Sequence, residues 1–370
     1  MQSVFVPYRV CLLGEHVDHQ GGATLSASLG LGLTLRFRRR DDDRYTVLAE
    51  DFGETHAGRL GELPPARGHW SDYLHGIVNE LQHRTSLTRG IDARVRGNFP
   101  PGGLSSSAAV QIAYALAFLE ANAQTLSRRV LAETVVAAER AHVGVQIGWL
   151  DPMTILFAEG SRILHLGGEG RVQGLVDWSI GRRPPRLAVI HSGLSRRLVD
   201  SPYNQRVAEC AEAARRLHPG TSRLMDVPPS SRAGATKLPA LLQERTRHVY
   251  GEADRLARGV DAWRAGDLGG FAALVNACGD SCSAHFDLGT PEVEALVQAL
   301  RRVPGVAAAR YTGGGFGGAV FALCAGGSSV DEAVKGAVFE DFAGHFPDVA
   351  SRAVVAWPQW GTPPESAALT

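Results

Sequence analysis

Two short stretches bring together residue types that could do chemistry. In "GEHVDH", residues 14–19, the carboxylates Glu15 and Asp18 and the imidazoles His16 and His19 directly follow the apolar run "RVCLLG". Such a set can ligate a metal, close a polar turn, or form one wall of a binding site. In "PPGGLSSSAAV", residues 100–110, two glycines and three hydroxyls open an Ala-rich run. Backbone N–H groups and the dipole at a helix N-terminus attract anions, and the serines add donors and a candidate Mg2+ ligand. A Ser-capped helix after a loop explains one serine, not three with small residues behind them. No stretch reads G-x-x-x-x-G-K-[ST], and "TGGGFGG" at 312–318 sits between two strands, the wrong setting for a dinucleotide fingerprint.

The elements that must position these residues are legible from periodicity. "RVCLLG" reads as a buried strand and "ATLSASLGLGLTLRFRRR" as one or two more, followed by "YTVLAE" and "IDARVRGNF". "HWSDYLHGIVNELQHR" has helical period, "SSSAAVQIAYALAFLEANA" is a largely buried helix starting at the serines, and Ser127 is the expected N-cap of the next helix. "RILHLG" and "RLAVIHSG" are short strands. Beyond Ser195 long amphipathic helices dominate, then a strand–glycine turn–strand around "TGGGFGG", a terminal helix and a strand. The Pro/Ser-rich end from Pro358 to Thr370 is expected to fray. A mixed first half and a helix-rich second half predict an α+β protein of two domains, residues 1–185 and 186–370, with a cleft between them.

Composition narrows the class. At 370 residues a single core is outgrown. Lys+Arg and Asp+Glu both number 38, so the basic excess typical of nucleic-acid or membrane-surface partners is missing. No apolar run approaches the roughly 20 residues of a membrane span, and the start lacks a signal-peptide pattern, so a cytoplasmic protein is expected. The five cysteines are scattered; Cys278 and Cys282, with His285 nearby, lack a second cluster to complete a zinc site and are expected as reduced thiols. Several of the 43 glycines cluster in "QGGA", "PPGGL" and "TGGGFGG", where backbone must approach something closely.

The ordered set of motifs resembles the GHMP kinase superfamily, and within it the galactokinase group. "PYRVCLLGEHVDHQGG" is similar to the galactokinase signature, "GLSSSAA" to the superfamily's phosphate loop, and "TGGGFGG" to its third motif. "AAERAHVGVQIGWLDPM", "DYLHGIV" and "SPYNQRVAECAEAARRL" resemble further galactokinase segments. The resemblance implies the two-domain GHMP kinase fold (a ribosomal protein S5 domain 2-like N-terminal domain and a ferredoxin-like C-terminal domain) and transfer of phosphate from ATP, with Mg2+, to the anomeric hydroxyl of galactose or a close sugar. It casts Arg9 and Asp151 as catalytic. It puts Glu15, His16, Asp18, Tyr203 and Gly314 against the sugar, and Gly102, Gly103, Leu104, Ser105, Ser106 and Ser107 against the nucleotide phosphates. Ser107 and Glu139 would hold Mg2+, and Trp70 and Tyr73 lie in a segment that could meet the adenine. Taken alone, Arg9 reads as a surface residue, Asp151 as a helix-start aspartate before Pro152, and Glu139 as part of a solvated face.

Three departures stand out: Tyr8 where a glycine is usual, a phosphate loop one residue short, and Pro152 in place of a glutamine. The stretch around "PYR" and "DHQGG" resembles plant galacturonokinases even more closely. In those relatives an alanine matches Glu15, leaving room for a C6 carboxylate. A glutamate there favours a neutral C6 hydroxyl, so galactose is expected and galacturonate is the alternative, with Arg196 and Arg197 as a pair that could rescue a carboxylate. A non-catalytic sugar and ATP sensor is disfavoured by the intact "GLSSSAA", and a superfamily decarboxylase by the cluster at 15–18. The oligomeric state is not legible; a monomer is compatible with the sequence.

Overall fold

The computed structural model describes residues 1–179, 183–194 and 201–370. Arg196 and Arg197 therefore lie outside the described residues.

Eleven strands among the described residues form two sheets, one in each half of the chain. Seven make the first: β1 (Gln2–Leu13), β2 (Thr24–Arg39), β3 (Arg44–Ala49), β4 (Glu54–Arg59), β5 (Ile91–Gly97), β6 (Arg162–Leu166) and β7 (Val172–Asp177). The expected "one or two" strands after residue 23 are one strand, β2, whose 16 residues pair with β1, with β5 over Leu33–Arg39 and with β6 over Thr24–Ser26. All pairings are antiparallel except β3 with β5. The register of β1 against β2 slips between Pro7 and Arg9 and again between Cys11 and Leu13, so the strand is irregular where Arg9 stands.

Helices α1 (Ser71–Gln82), α2 (Ser106–Ala121), α3 (Arg128–Ala138) and α4 (Leu150–Phe157) accompany this sheet. Alanines fill α2, and nearly every side chain from Ala108 to Ala121 is buried, so the helix threads the core as its composition predicts. Ser127 caps α3 as expected, its hydroxyl accepting from the Val130 N–H at 3.3 Å.

The second half begins with β8 (Arg186–His191) and continues through α5 (Tyr203–Leu217), a one-turn α6 (Pro229–Arg232), α7 (Ala240–Ala265), α8 (Leu268–Phe286) and α9 (Pro291–Arg301). It closes with β9 (Val306–Tyr311), β10 (Ala319–Cys324), α10 (Ser328–Gly336) and β11 (Val354–Ala356). The antiparallel sheet runs β11-β8-β10-β9. One continuous apolar core joins both halves: Trp263 of α7 packs on Trp178 after β7, and a Cβ added to Gly259 would lie 2.3 Å from Leu13 of β1.

The C-terminus is not frayed. Trp360 bridges to Leu29, Glu365 to Phe5 and Leu369 to Leu126, while the Trp360 indole N–H donates to the Pro185 carbonyl. Its apolar residues anchor the tail against the first sheet despite the prolines, and Ala368 is buried. All five cysteines are free and buried. No helix among the described residues is long and apolar enough to cross a membrane.

Candidate active site

Arg9 ties three parts of the chain together. Its backbone N–H donates to the Leu104 carbonyl (3.2 Å), its Nη1 to the Gly103 carbonyl (2.9 Å), and its Nε to Asp151 Oδ1 (2.8 Å). The guanidinium is buried and the carboxylate partly open, side chains 3% and 22% exposed. Arg9 is thus no surface residue, and Asp151, at the start of α4, faces a pocket rather than solvent alone. A short charge-assisted contact of this kind keeps the acceptor carboxylate oriented while one oxygen remains available.

The glycine–serine loop beside it is shaped by left-handed backbone: Gly102, Gly103 and Ser105 have φ of 119°, 79° and 61°. Ser105 occupies the N-cap position of α2 but makes no side-chain cap bond, and its buried hydroxyl has no partner among the described residues. The capping account of the serines therefore fails, while an unpartnered donor at a helix N-terminus suits an anion. Ser106 and Ser107 begin α2, and Leu104 is packed in the core. The second glycine cluster abuts this loop backbone to backbone. A Cβ on Gly103 would stand 2.5 Å from the Ala319 nitrogen, and one on Gly313 2.5 Å from the Gly103 carbonyl.

The carboxylate–imidazole stretch forms the facing wall. Glu15 is buried; its Oε2 accepts from Arg310 Nη1 (3.1 Å), the Thr312 hydroxyl (3.2 Å) and the Gly313 N–H (3.0 Å). His248 donates through Nε2 to the Glu15 carbonyl at 2.9 Å, so the second half holds both ends of this residue. His16, at φ 58°, packs its ring 5.2 Å from that of Tyr203, the first residue of α5, and His19 lies 5.6 Å from the same ring. Asp18 Oδ2 accepts the Leu150 N–H at 3.0 Å, and Gly148 permits the approach, since a Cβ there would meet that oxygen at 2.1 Å. Burial, with the Asp151 charge as a lesser cause, raises the Asp18 pKa to about 6 against the pull of the Leu150 N–H. Burial, then Asp18 and Asp151, hold the Tyr203 phenol well above its usual range, so it is a neutral donor.

Arg9, Asp151, Glu15, His16, Asp18, Tyr203 and Gly314 all line one pocket. Gly313, Ile147, Gly148 and Leu150 complete it. The metal reading of His16 and His19 is not supported: among the described residues, the cluster of metal-ligand type lies elsewhere, at Asp72, His75 and His142.

Glu139 is fully buried, not on a solvated face, at the point where α3 passes into a π-helical turn (Glu139–Val143). Gln111 Nε2 donates to its Oε2 at 2.7 Å, while Oε1 has no hydrogen-bond partner among the described residues. Burial, reinforced by Asp151, raises its pKa to about 8; Gln111 and the nearby Ser107 hydroxyl oppose the rise. A buried carboxylate with an orphaned oxygen, beside a hydroxyl and a second carboxylate, fits a hard divalent cation.

Sequence reasoning missed Arg310 and Gln111. Arg310 stands two residues before "TGGGFGG", and an arginine in an otherwise apolar β-strand is a signal that a carboxylate must be buried with it.

A glycine–serine loop at a helix N-terminus, an arginine–carboxylate pair and a polar wall are an arrangement suited to phosphoryl transfer onto a small hydroxylated acceptor. The model of the GHMP kinases N terminal domain matches residues 72–159, and that of the GHMP kinases C terminal domain residues 260–340. The galactokinase of Roseiflexus sp. (strain RS-1) is 31% identical over 327 residues, 86% of this chain and 82% of that protein. The galacturonokinase of Arabidopsis thaliana is 31% identical over 352 residues, covering 87% and 83%. The solved structure of Lactococcus lactis galactokinase complexed with galactose superposes with a TM-score of 0.89 at 27% identity, over 99% of this chain and 95% of that one. The chain belongs to the GHMP kinase family, among its galactokinase-like sugar kinases. Its phosphoryl donor is ATP and its acceptor a sugar.

Proposed function

We propose that the enzyme phosphorylates the anomeric hydroxyl of galactose, or of a neutral sugar of galactose type, with ATP and Mg2+ in a reducing cytoplasm, and that its domains divide at residues 185 and 186. The observation that carries this reading is the Arg9–Asp151 pair at 2.8 Å inside a pocket walled by Glu15, His16, Asp18 and Tyr203. Asp151 takes or orients the proton of the attacking C1 hydroxyl, and that oxygen forms a bond to the γ-phosphorus as the bond to the departing ADP oxygen breaks. Arg9 offsets charge that develops on the transferred group and keeps Asp151 aimed. The backbone of Gly102 to Ser105 and the hydroxyls of Ser106 and Ser107 cradle the phosphates. Glu139 and Ser107 would hold Mg2+, which would supply charge neutralisation to the phosphates.

Asp18 and the carboxylate oxygen of Glu15 not held by Arg310 accept hydrogen bonds from sugar hydroxyls, with Tyr203 and Gly314 closing the pocket. A second reading, galacturonate, has one observation in its favour. Arg310 offsets the Glu15 charge, which reduces the like-charge cost of a C6 carboxylate. Glu15 still fills the space that such a group needs, so a C6 hydroxyl remains the better partner. The test is product analysis by NMR after incubation with galactose, ATP and Mg2+. Phosphorus–proton coupling to H1 is expected, and phosphate on any other carbon would overturn the assignment of the anomeric acceptor.

A further inference from the structure

A second cluster of polar side chains lies outside the pocket, where α1, β4 and the π-turn after α3 converge. Asp72 and His75 are on α1, His142 is in the turn, and His56 comes from β4. Asp72, His75 and His142 each present one ligand atom, and these atoms all lie within 4.8 Å of one another. The elements are pressed together: a Cβ on Gly76 would stand 3.2 Å from the His142 Cβ.

The polar accounting of this cluster does not close. His75 is 96% buried, yet its Nδ1 has no hydrogen-bond partner among the described residues, and the buried Nε2 of His142 has none either. Buried nitrogens are normally paired, and one left bare forfeits the hydration it had in water. His75 Nε2 faces His56 Nε2 at 2.7 Å, a contact that spends only one of the two nitrogens of each ring. Asp72 Oδ2 accepts the backbone N–H groups of Arg67 and His69, both at 2.9 Å, which fixes the orientation of the carboxylate.

We propose that Asp72, His75 and His142 form a binding site for a divalent transition-metal ion of the zinc type, distinct from the Mg2+ site at Ser107 and Glu139. Two imidazoles and one carboxylate are the donor set that zinc and its neighbours accept, with water in a fourth position. Mg2+ prefers an all-oxygen shell and does not compete well for imidazoles. The metal would clamp α1 onto the turn that carries Glu139, because His142 lies three residues after Glu139 in that turn. The site is separated by sequence, with its ligands at 72, 75 and 142, which is why no motif announces it.

The experiment is calorimetric titration of metal-free full-length enzyme with Zn2+ in the presence of excess Mg2+. One equivalent is expected to bind, with a Kd on the order of micromolar or tighter. His75→Gln and His142→Gln are each expected to weaken binding by at least about ten-fold. Asp72→Asn, which keeps an acceptor for the Arg67 and His69 N–H groups, serves as the ligand deletion if a histidine variant fails to fold. Co2+ as a probe should give a visible absorption band in the wild type that these variants lose. Absence of saturable Zn2+ binding, or equal affinity in the wild type and the folded variants, would show a hydrogen-bonded histidine cluster and overturn the proposal.

Discussion

Arg310 holds Glu15 from behind. Its Nη1 lies 3.1 Å from Glu15 Oε2, and both side chains are buried, 295 residues apart in sequence. The arginine comes from β9 of the second sheet and the glutamate from the loop after β1 of the first, so one ion pair fixes the Glu15 wall of the pocket to the other half of the chain. Arg310 also donates to the Cys11 and Tyr311 carbonyls, each at 2.8 Å, so its own position is set by backbone on both sides.

Replacing Arg310 by Met should leave a buried carboxylate without its counter-charge. Breaking a pair of this type costs about 3–5 kcal/mol. The expected result is a lower unfolding midpoint in denaturant together with a raised KM for sugar. Unchanged stability and unchanged KM would show that Glu15 does not depend on Arg310.

The Asp151→Asn variant keeps the size of the side chain and its contact with Arg9 but removes the charge and the basicity. Loss of general-base or orienting function lowers kcat by about 10^2- to 10^4-fold. KM for either substrate should move far less. Steady-state kinetics in both substrates would check this, and near-normal kcat would remove Asp151 from the chemical step.

Asp18 supplies a pH dependence with a defined sign. Folding raises its pKa from 3.8 to about 6, so the native state binds this proton more tightly than the unfolded chain does. Asp18 therefore detracts from stability above about pH 6, and this deficit fades as pH falls through that value toward 4. If Asp18 accepts from the sugar as proposed, binding needs its charged form, and the sugar KM should rise as pH drops below 6. Asp18→Asn should raise the melting temperature at neutral pH, weaken sugar binding, and flatten that limb of the KM profile. A variant with the wild-type profile would assign the titration elsewhere.

Gly103→Ala tests the packing of the two glycine clusters. The added methyl would meet the Ala319 nitrogen at 2.5 Å from a backbone with φ of 79°, so the loop must shift rather than the side chain. A rise in the KM for ATP and a fall in kcat are expected, with the fold retained by circular dichroism. Full activity would show that the loop's path is not set by this contact.

Glu15, His16, Asp18, Gly313 and Gly314 of the pocket, and the neighbouring "GLSSS" loop, were legible because they fall in contiguous motifs whose residue types are unusual for structural loops. Their supports were not. Arg310 and Gln111 act through partners far away in the chain, and a buried arginine looks like any other charge until its carboxylate is found. The short, mostly exposed β4 and β7 carry little apolar alternation, and α8, rich in glycine, alanine and cysteine, gives a weak helical pattern despite being long. The tail from Pro358 looked mobile by composition, but Trp360 and Leu369 anchor it through contacts that no local rule contains.

The most direct test is ADP release with galactose and with galacturonate, each at equal concentration with saturating ATP and Mg2+. Galactose should be turned over faster by at least about ten-fold, a difference of roughly 1.4 kcal/mol in transition-state binding. Turnover of galacturonate equal to or faster than that of galactose, or no ADP release with galactose above the sugar-free rate, would contradict the account.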